Sequence, residues 1–128
     1  TDLREGVRPP VRTLLQTAAD AAARQSEQAQ AVKDLVSGFS DPTIIAGDFN
    51  STPDSAIHHD LRRVFTDSWD AAGWGFGSTR TVGMLPMRID YIYTTDALRT
   101  RHVDTFDCRC DGDRLCSDHR GLTATVTP

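Results

Sequence analysis

Thr43-Ile44-Ile45-Ala46-Gly47-Asp48-Phe49-Asn50 is the stretch on which the reading of this chain turns. Its first four residues form a short apolar run rich in β-branched side chains, entered through the turn signal Ser40-Asp41-Pro42 and closed by Gly47, which predicts a buried strand. Two polar side chains, Asp48 and Asn50, follow at once, where an open α/β sheet gathers the groups that meet a ligand. Alone, Asp and Asn behind a glycine read as turn residues that satisfy local backbone groups. The sequence on either side decides between the two.

Upstream, Val11, Leu14, Leu15, Ala18, Ala22, Ala29, Val32, Leu35 and Val36 recur at intervals of three and four, predicting an amphipathic helix over 8–37. Pro9 and Pro10 suit its start, Gly38 suits a left-handed stop, and Arg12, Gln16, Asp20, Glu27 and Lys33 form its wet face. Downstream, Thr52-Pro53-Asp54-Ser55 predicts a short helix, capped by Thr52 and running to about Phe65. The segment 66–86, broken by Gly73, Gly75, Gly77 and Gly83, reads as loop with short helical pieces. Strands are predicted at 88–93, 103–108 and 122–126, with a turn at Asp111-Gly112-Asp113 before the last. This order gives a mixed α/β domain with an antiparallel component, without internal repeat and without a Gly-rich phosphate loop.

Composition bounds the function. A length of 128 residues supports one domain. With 14 Lys plus Arg against 18 Asp plus Glu, the net charge of −4 disfavours a broad polyanion-gripping surface, so nonspecific nucleic-acid coating is not expected. Hydrophobic residues at 38% and a mean hydropathy of −0.40, with no apolar run of bilayer length, predict a water-soluble globular chain. The acids are almost all Asp and the bases almost all Arg, a bias to which no function attaches.

Three polar clusters sit at predicted strand ends: Asp48 and Asn50 after the first strand, Asp90 in the second, and Ser117-Asp118-His119 before the last. Brought to one rim of a sheet, these carboxylates, amide and imidazole suit a hard divalent cation such as Mg²⁺ or Mn²⁺ better than Zn²⁺. Asp90 lies in an otherwise apolar strand and needs a partner, for which His119 and Arg88 are the candidates.

Taken together, Gly47-Asp48-Phe49-Asn50 with Ser51-x-Pro53, then Arg88-Ile89-Asp90-Tyr91-Ile92, then Ser117-Asp118-His119 resemble the endonuclease/exonuclease/phosphatase superfamily with its DNase I-like fold. Gln28-Ala29 in the helix ahead of the first motif fits as well, and the likeness runs from about residue 8 to the end. The resemblance implies metal-dependent hydrolysis of a phosphoester by activated water. Under it, Asp48 orients or deprotonates the water and Asn50 fixes the nucleophile or a phosphate oxygen. Asp90 sets the tautomer of His119, which donates to a nonbridging oxygen, and Asp118 with Asp48 binds metal.

The same resemblance implies a two-sheet α/β sandwich of about twice this length. Its N-terminal half would carry a metal-binding Glu whose context neither Glu5 nor Glu27 shows, and Thr1-Asp2-Leu3 would be the remnant of a strand and loop. The expectation is therefore that residues 1–128 are the C-terminal part of one domain. The absent N-terminal half would then be a partner, the exposed sheet face would favour homo-oligomers, and the piece alone would be inactive. Nucleic-acid, lipid, inositol and nucleotide phosphoesters all remain open as substrates. The alternative is a non-catalytic binding or scaffold module that keeps the fold.

Other residues invite blander readings. His58 and His59, adjacent on a helix, point apart and read as solvated or cap-side rather than as metal ligands, and His102 reads as structural. Trp69, Trp74 and Phe76 line a groove or pack beneath the Gly-rich loop. Arg80 and Arg88 are candidates for phosphate contact, Arg88 more as a structural neighbour of Asp90. Cys108, Cys110 and Cys116 lack zinc spacing; a disulfide from Cys116 to Cys108 or Cys110 would brace the Asp118-His119 loop and imply an extracytoplasmic setting, whereas reduced thiols would not.

Overall fold

A computed structural model of the chain describes residues 11–128. The predicted helix start at Pro9 and Pro10, with Thr1-Asp2-Leu3 and Glu5, lies outside the described residues. Helix α1 (Val11–Ser37) leads to strand β1 (Ile44–Asp48) and helix α2 (Ala56–Leu61). Strand β2 (Thr66–Asp67), helix α3 (Ser68–Ala72) and the hairpin β3 (Arg80–Val82) with β4 (Leu85–Met87) follow. Strands β5 (Asp90–Thr94), β6 (Arg99–Arg109) and β7 (Leu115–Thr127) complete the chain.

The strands form two sheets, one in the order β1-β5-β2 and one in the order β4-β3-β7-β6, with every pairing antiparallel. The chain is thus a mixed α/β fold with antiparallel sheets and flanking helices, as the element order predicts. Alternation along β1 and β5 decides which face meets what. Tyr91 and Tyr93 point to the helices and join Ala29, Val36, Ile57, Leu61 and Phe65 in the buried core. Asp48 and Asp90, directly opposed in register, lie on the other face, with Ala46 opposite Ile92, toward β7.

Several local expectations are corrected. Strand β1 is present but not buried: Ile44 is 52% exposed and only Ile45 is half-buried, because the helices cover one face of its sheet and Ile44, Ala46 and Asp48 lie on the other. Gly38 does not adopt a left-handed conformation; α1 ends in tighter turns, with Gly38 N–H donating to Leu35 O and Phe39 N–H to Val36 O. Much of the apolar stripe of α1 is uncovered, Val11 and Leu15 being 72% and 67% exposed, while Ala29 and Val36 are buried. Ser55, not Thr52, occupies the cap of α2, because the Thr52 hydroxyl turns to the Asp54 carboxylate and Thr52 O closes a turn onto Ser55 N–H.

The segment 66–86 is not mainly loop. It holds β2, α3 and a hairpin that turns at Gly83, where φ is 62°. Inside it Trp69 packs so closely on Gly73 and Gly77 that a Cβ at either would stand 2.4 Å from the indole. Trp74, 91% exposed, packs beneath nothing.

Candidate active site

Three chain segments deliver the chemistry. Asp48 closes β1 and Asp90 opens β5, each facing the other across the ladder. His119 lies inside β7 rather than before it, since β7 begins at Leu115 and is held by β3 through the pair Arg80↔His119. One ligand atom from each of Asp48, Asp90 and His119 falls within 4.8 Å of the others.

The imidazole is anchored on one side. His119 Nδ1–H donates to Asp90 Oδ2 at 2.8 Å, while Nε2 stands 3.8 Å from Asp48 Oδ2 and 4.0 Å from Asp118 Oδ1. The hydrogen bond to Asp90, ahead of the other nearby carboxylates, raises the His119 pKa above its ordinary value. Nε2 is thereby left without a hydrogen bond, between the carboxylates of Asp48 and Asp118.

Asn50 sits at φ 48°, a left-handed conformation that Asn tolerates, and its backbone N–H donates to Asp48 Oδ1 at 2.8 Å. This tight turn fixes the Asp48 carboxylate and leaves the Asn50 side chain exposed at the rim. A cleft of about 510 Å³ opens there between α1 and the turn, bordered by Arg24, Gln28, Asp48, Asn50 and Ile57. Asp118, 71% exposed, stands at the rim with one oxygen 4.0 Å from His119 Nε2 and the other 3.2 Å from Arg80.

The donor set fits a hard cation. Asp48 and Asp90 are like charges directly opposed in an antiparallel pair, an arrangement that repels unless a positive charge lies between or beside them. The oxygen-rich surroundings suit a divalent cation of the Mg²⁺ type.

Behind the site lies a polar framework that the sequence reading did not find. Thr79, fully buried, accepts the backbone N–H groups of Ile89 and Asp90 on its hydroxyl, each at 3.2 Å. Its carbonyl accepts Arg120 N–H, so one threonine ties the strand carrying Asp90 to the strand carrying His119. No local signal marks such a residue; only the meeting of two sheets makes it a junction.

Arg88 is not a neighbour of Asp90 in bonding terms. Its guanidinium grips the buried Asp67 through two bonds of 3.1 and 2.7 Å, because β2 lies beside β5 and puts that carboxylate within reach. Asp67 in turn caps α3 by accepting Trp69 N–H.

His58 is not solvated but completely buried. The Ser51 hydroxyl donates to Phe49 O, so His58 Nε2–H donates to Ser51 Oγ at 2.9 Å, and Nδ1 accepts the Tyr93 hydroxyl at 2.6 Å. Every group in this chain is satisfied with a neutral ring, and burial lowers the His58 pKa to about 4. The Tyr91 hydroxyl shares its one proton between Ser51 O and Arg88 O, so the same cluster pins the turn after Asn50.

Cys110 and Cys116 form a disulfide across the β6–β7 turn, leaving Cys108 as the free thiol. The bridge closes next to Ser117-Asp118-His119. Among the described residues no helix is long and apolar enough to cross a membrane.

The model of the Endonuclease/Exonuclease/phosphatase family matches residues 4–119. The chain belongs to this family. Among solved structures of similar fold is a functionally unknown conserved protein from Enterococcus faecalis V583, with TM-score 0.66, 24% identity, and coverage of 86% of this chain and 45% of that one. An endonuclease/exonuclease/phosphatase from Bacteroides vulgatus follows with TM-score 0.65, 20% identity, and coverage of 82% and 44%. A mannosyl-6-phosphatase from Bacteroides thetaiotaomicron VPI-5482 gives TM-score 0.59, 20% identity, and coverage of 88% and 46%. The architecture is accordingly DNase I-like, and this family member spans less than half the length of those structures. No curated protein gives a significant match.

Proposed function

We propose that this family member carries the Asp/Asn/Asp-His side of the active site of a divalent-cation-dependent phosphoester hydrolase. The observation that supports it best is the convergence of Asp48, Asp90 and His119 from three strands, with one imidazole nitrogen anchored and the other free. A structural histidine has both nitrogens committed, as His58 does.

Asp90 accepts the Nδ1 proton of His119 and holds the ring so that Nε2 meets a nonbridging phosphoryl oxygen, supplying a proton as charge accumulates there. Asp48, locked by the Asn50 backbone, orients the attacking water and takes its proton as the water oxygen bonds to phosphorus; the ester P–O bond opposite breaks and the alcohol leaves, its oxygen protonated from solvent. Asn50 directs its amide to the nucleophile or to a phosphoryl oxygen. Asp48 and Asp118 are the residues that would hold Mg²⁺ or Mn²⁺, which when bound neutralises the phosphoryl oxygens. The family and the likeness to a mannosyl-6-phosphatase support a phosphomonoester or phosphodiester substrate.

The chain is read as the C-terminal part of one domain. Supporting this, a space of about 270 Å³ between the two sheets, bordered by Ala46, Ile92 and Leu122, is open, and the N-terminal part of the apolar stripe of α1, with Val11 and Leu15, is uncovered. The other half of the domain would cover both, and without it we expect self-association and no turnover. The disulfide supports an oxidising, extracytoplasmic compartment. Intact protein alkylated without reduction should gain a single label, at Cys108; three labels would refute that placement.

The deciding experiment assays the full-length protein, with Mg²⁺ and with chelator, on p-nitrophenyl esters, nicked DNA and phospholipid, beside His119→Ala. Cation-dependent turnover lost in the variant supports the reading. Turnover that survives His119→Ala removes the site, and no turnover on any substrate favours a scaffold.

A further inference from the structure

Arg80 opens β3 directly opposite His119. Opposed residues of an antiparallel pair project to the same face, and the neighbouring bond from Arg120 N–H to Thr79 O makes this the closer, non-hydrogen-bonded kind of pair. The guanidinium therefore leaves the strand beside the imidazole. Its Nη2 lies 3.2 Å from Asp118 Oδ2, while Asp118 Oδ1 lies 4.0 Å from His119 Nε2. A single carboxylate separates the cation from the nitrogen that faces the reacting group.

This arginine does little for the fold. Its side chain and that of Asp118 are 36% and 71% exposed, so their attraction is screened by water. One contact engages the fork, and its remaining donors have no partner among the described residues. Arg88 and Arg62 differ, each being engaged by both Asp67 and Asp70.

A guanidinium fork matches the oxygens of a phosphate, and it discriminates by charge. A phosphomonoester brings a second negative charge and a further nonbridging oxygen where a diester carries an alkyl group. We infer that Arg80 is a specificity residue that takes the extra anionic oxygen of a phosphomonoester and so favours monoesters over diesters. The inference rests on the hydrolase reading above and names its substrate class.

The test compares wild type, Arg80→Gln and Arg80→Lys of the full-length protein on p-nitrophenyl phosphate and bis-p-nitrophenyl phosphate, with calorimetric titration of inorganic phosphate alongside. Arg80→Gln should lower the monoester-to-diester ratio of kcat/KM about tenfold, chiefly through KM for the monoester, and weaken phosphate binding by a similar factor. Arg80→Lys, keeping the charge without the fork, should recover part of both. An unchanged ratio, or a loss carried by kcat alone, overturns the inference. Should wild type hydrolyse neither ester, the hydrolase reading falls, and phosphate affinity that is equal in wild type and Arg80→Gln overturns the role of Arg80 separately.

Discussion

His58 and His119 are the same side chain in opposite circumstances. His58 is sealed beneath the turn that follows Asn50, with a serine and a tyrosine hydroxyl on its two nitrogens, and burial drives its pKa down. His119 stands at an open rim with a carboxylate on one nitrogen, and that partner drives its pKa up. Hydroxyl partners in a dry pocket keep a ring neutral and make it part of the scaffold. A carboxylate at a wet edge makes the ring ready to carry and release a proton.

The largest effect should come from the exposed ring. Under the proposed function, His119→Ala in the full-length protein should cost about 10³-fold in kcat/KM, near 4 kcal/mol, while the melting temperature holds. A steady-state assay with a thermal melt checks both, and a variant that loses fold instead of activity would erase the contrast.

Next is acid sensitivity from the buried ring. An unfolded His58 titrates near 6.5 and the folded one at about 4, so the unfolded state binds the extra proton between those values. Stability from this group is complete above pH 6.5 and is lost as pH falls toward 4, on the order of 3 kcal/mol. Urea unfolding across that window measures it, and His58→Gln should flatten the slope.

Ser51→Ala should cost about 1–2 kcal/mol, because it leaves His58 Nε2–H buried without an acceptor. The smallest effect belongs to the neighbouring ring: His59 is exposed, and His59→Ala should shift stability by less than about 0.5 kcal/mol. A comparable loss at both histidines would mean that burial does not separate them.

How much of this was legible in the chain itself follows from what each signal depends on. Residues 43–50 show their strand and the polar turn after it, because β-branched side chains and a glycine act locally. The three motifs with Asp48, Asp90 and His119 could be read as one site, since each keeps its residue types in a short span. The β3–β4 hairpin leaves no such trace, as three-residue strands around Gly83 have too few positions to show alternation. The burial of His58 is hidden for a different reason: adjacent histidines on a short helix look alike until a core of Tyr91, Tyr93 and Phe49 closes over one of them. The partner of Arg88 depends on β2 pairing with β5, a contact 21 residues apart in the chain.

By itself the sequence determined the longer elements, the family motifs and the kind of chemistry available, because helix period, strand alternation and side-chain type are properties of short windows. Tertiary structure alone decided the rest. It chose which histidine is dry, set Asp48 against Asp90, joined the sheets through Thr79 and placed Arg80 across from His119. Burial and pairing between strands distant in sequence are properties of the packed chain, and no window of residues contains them.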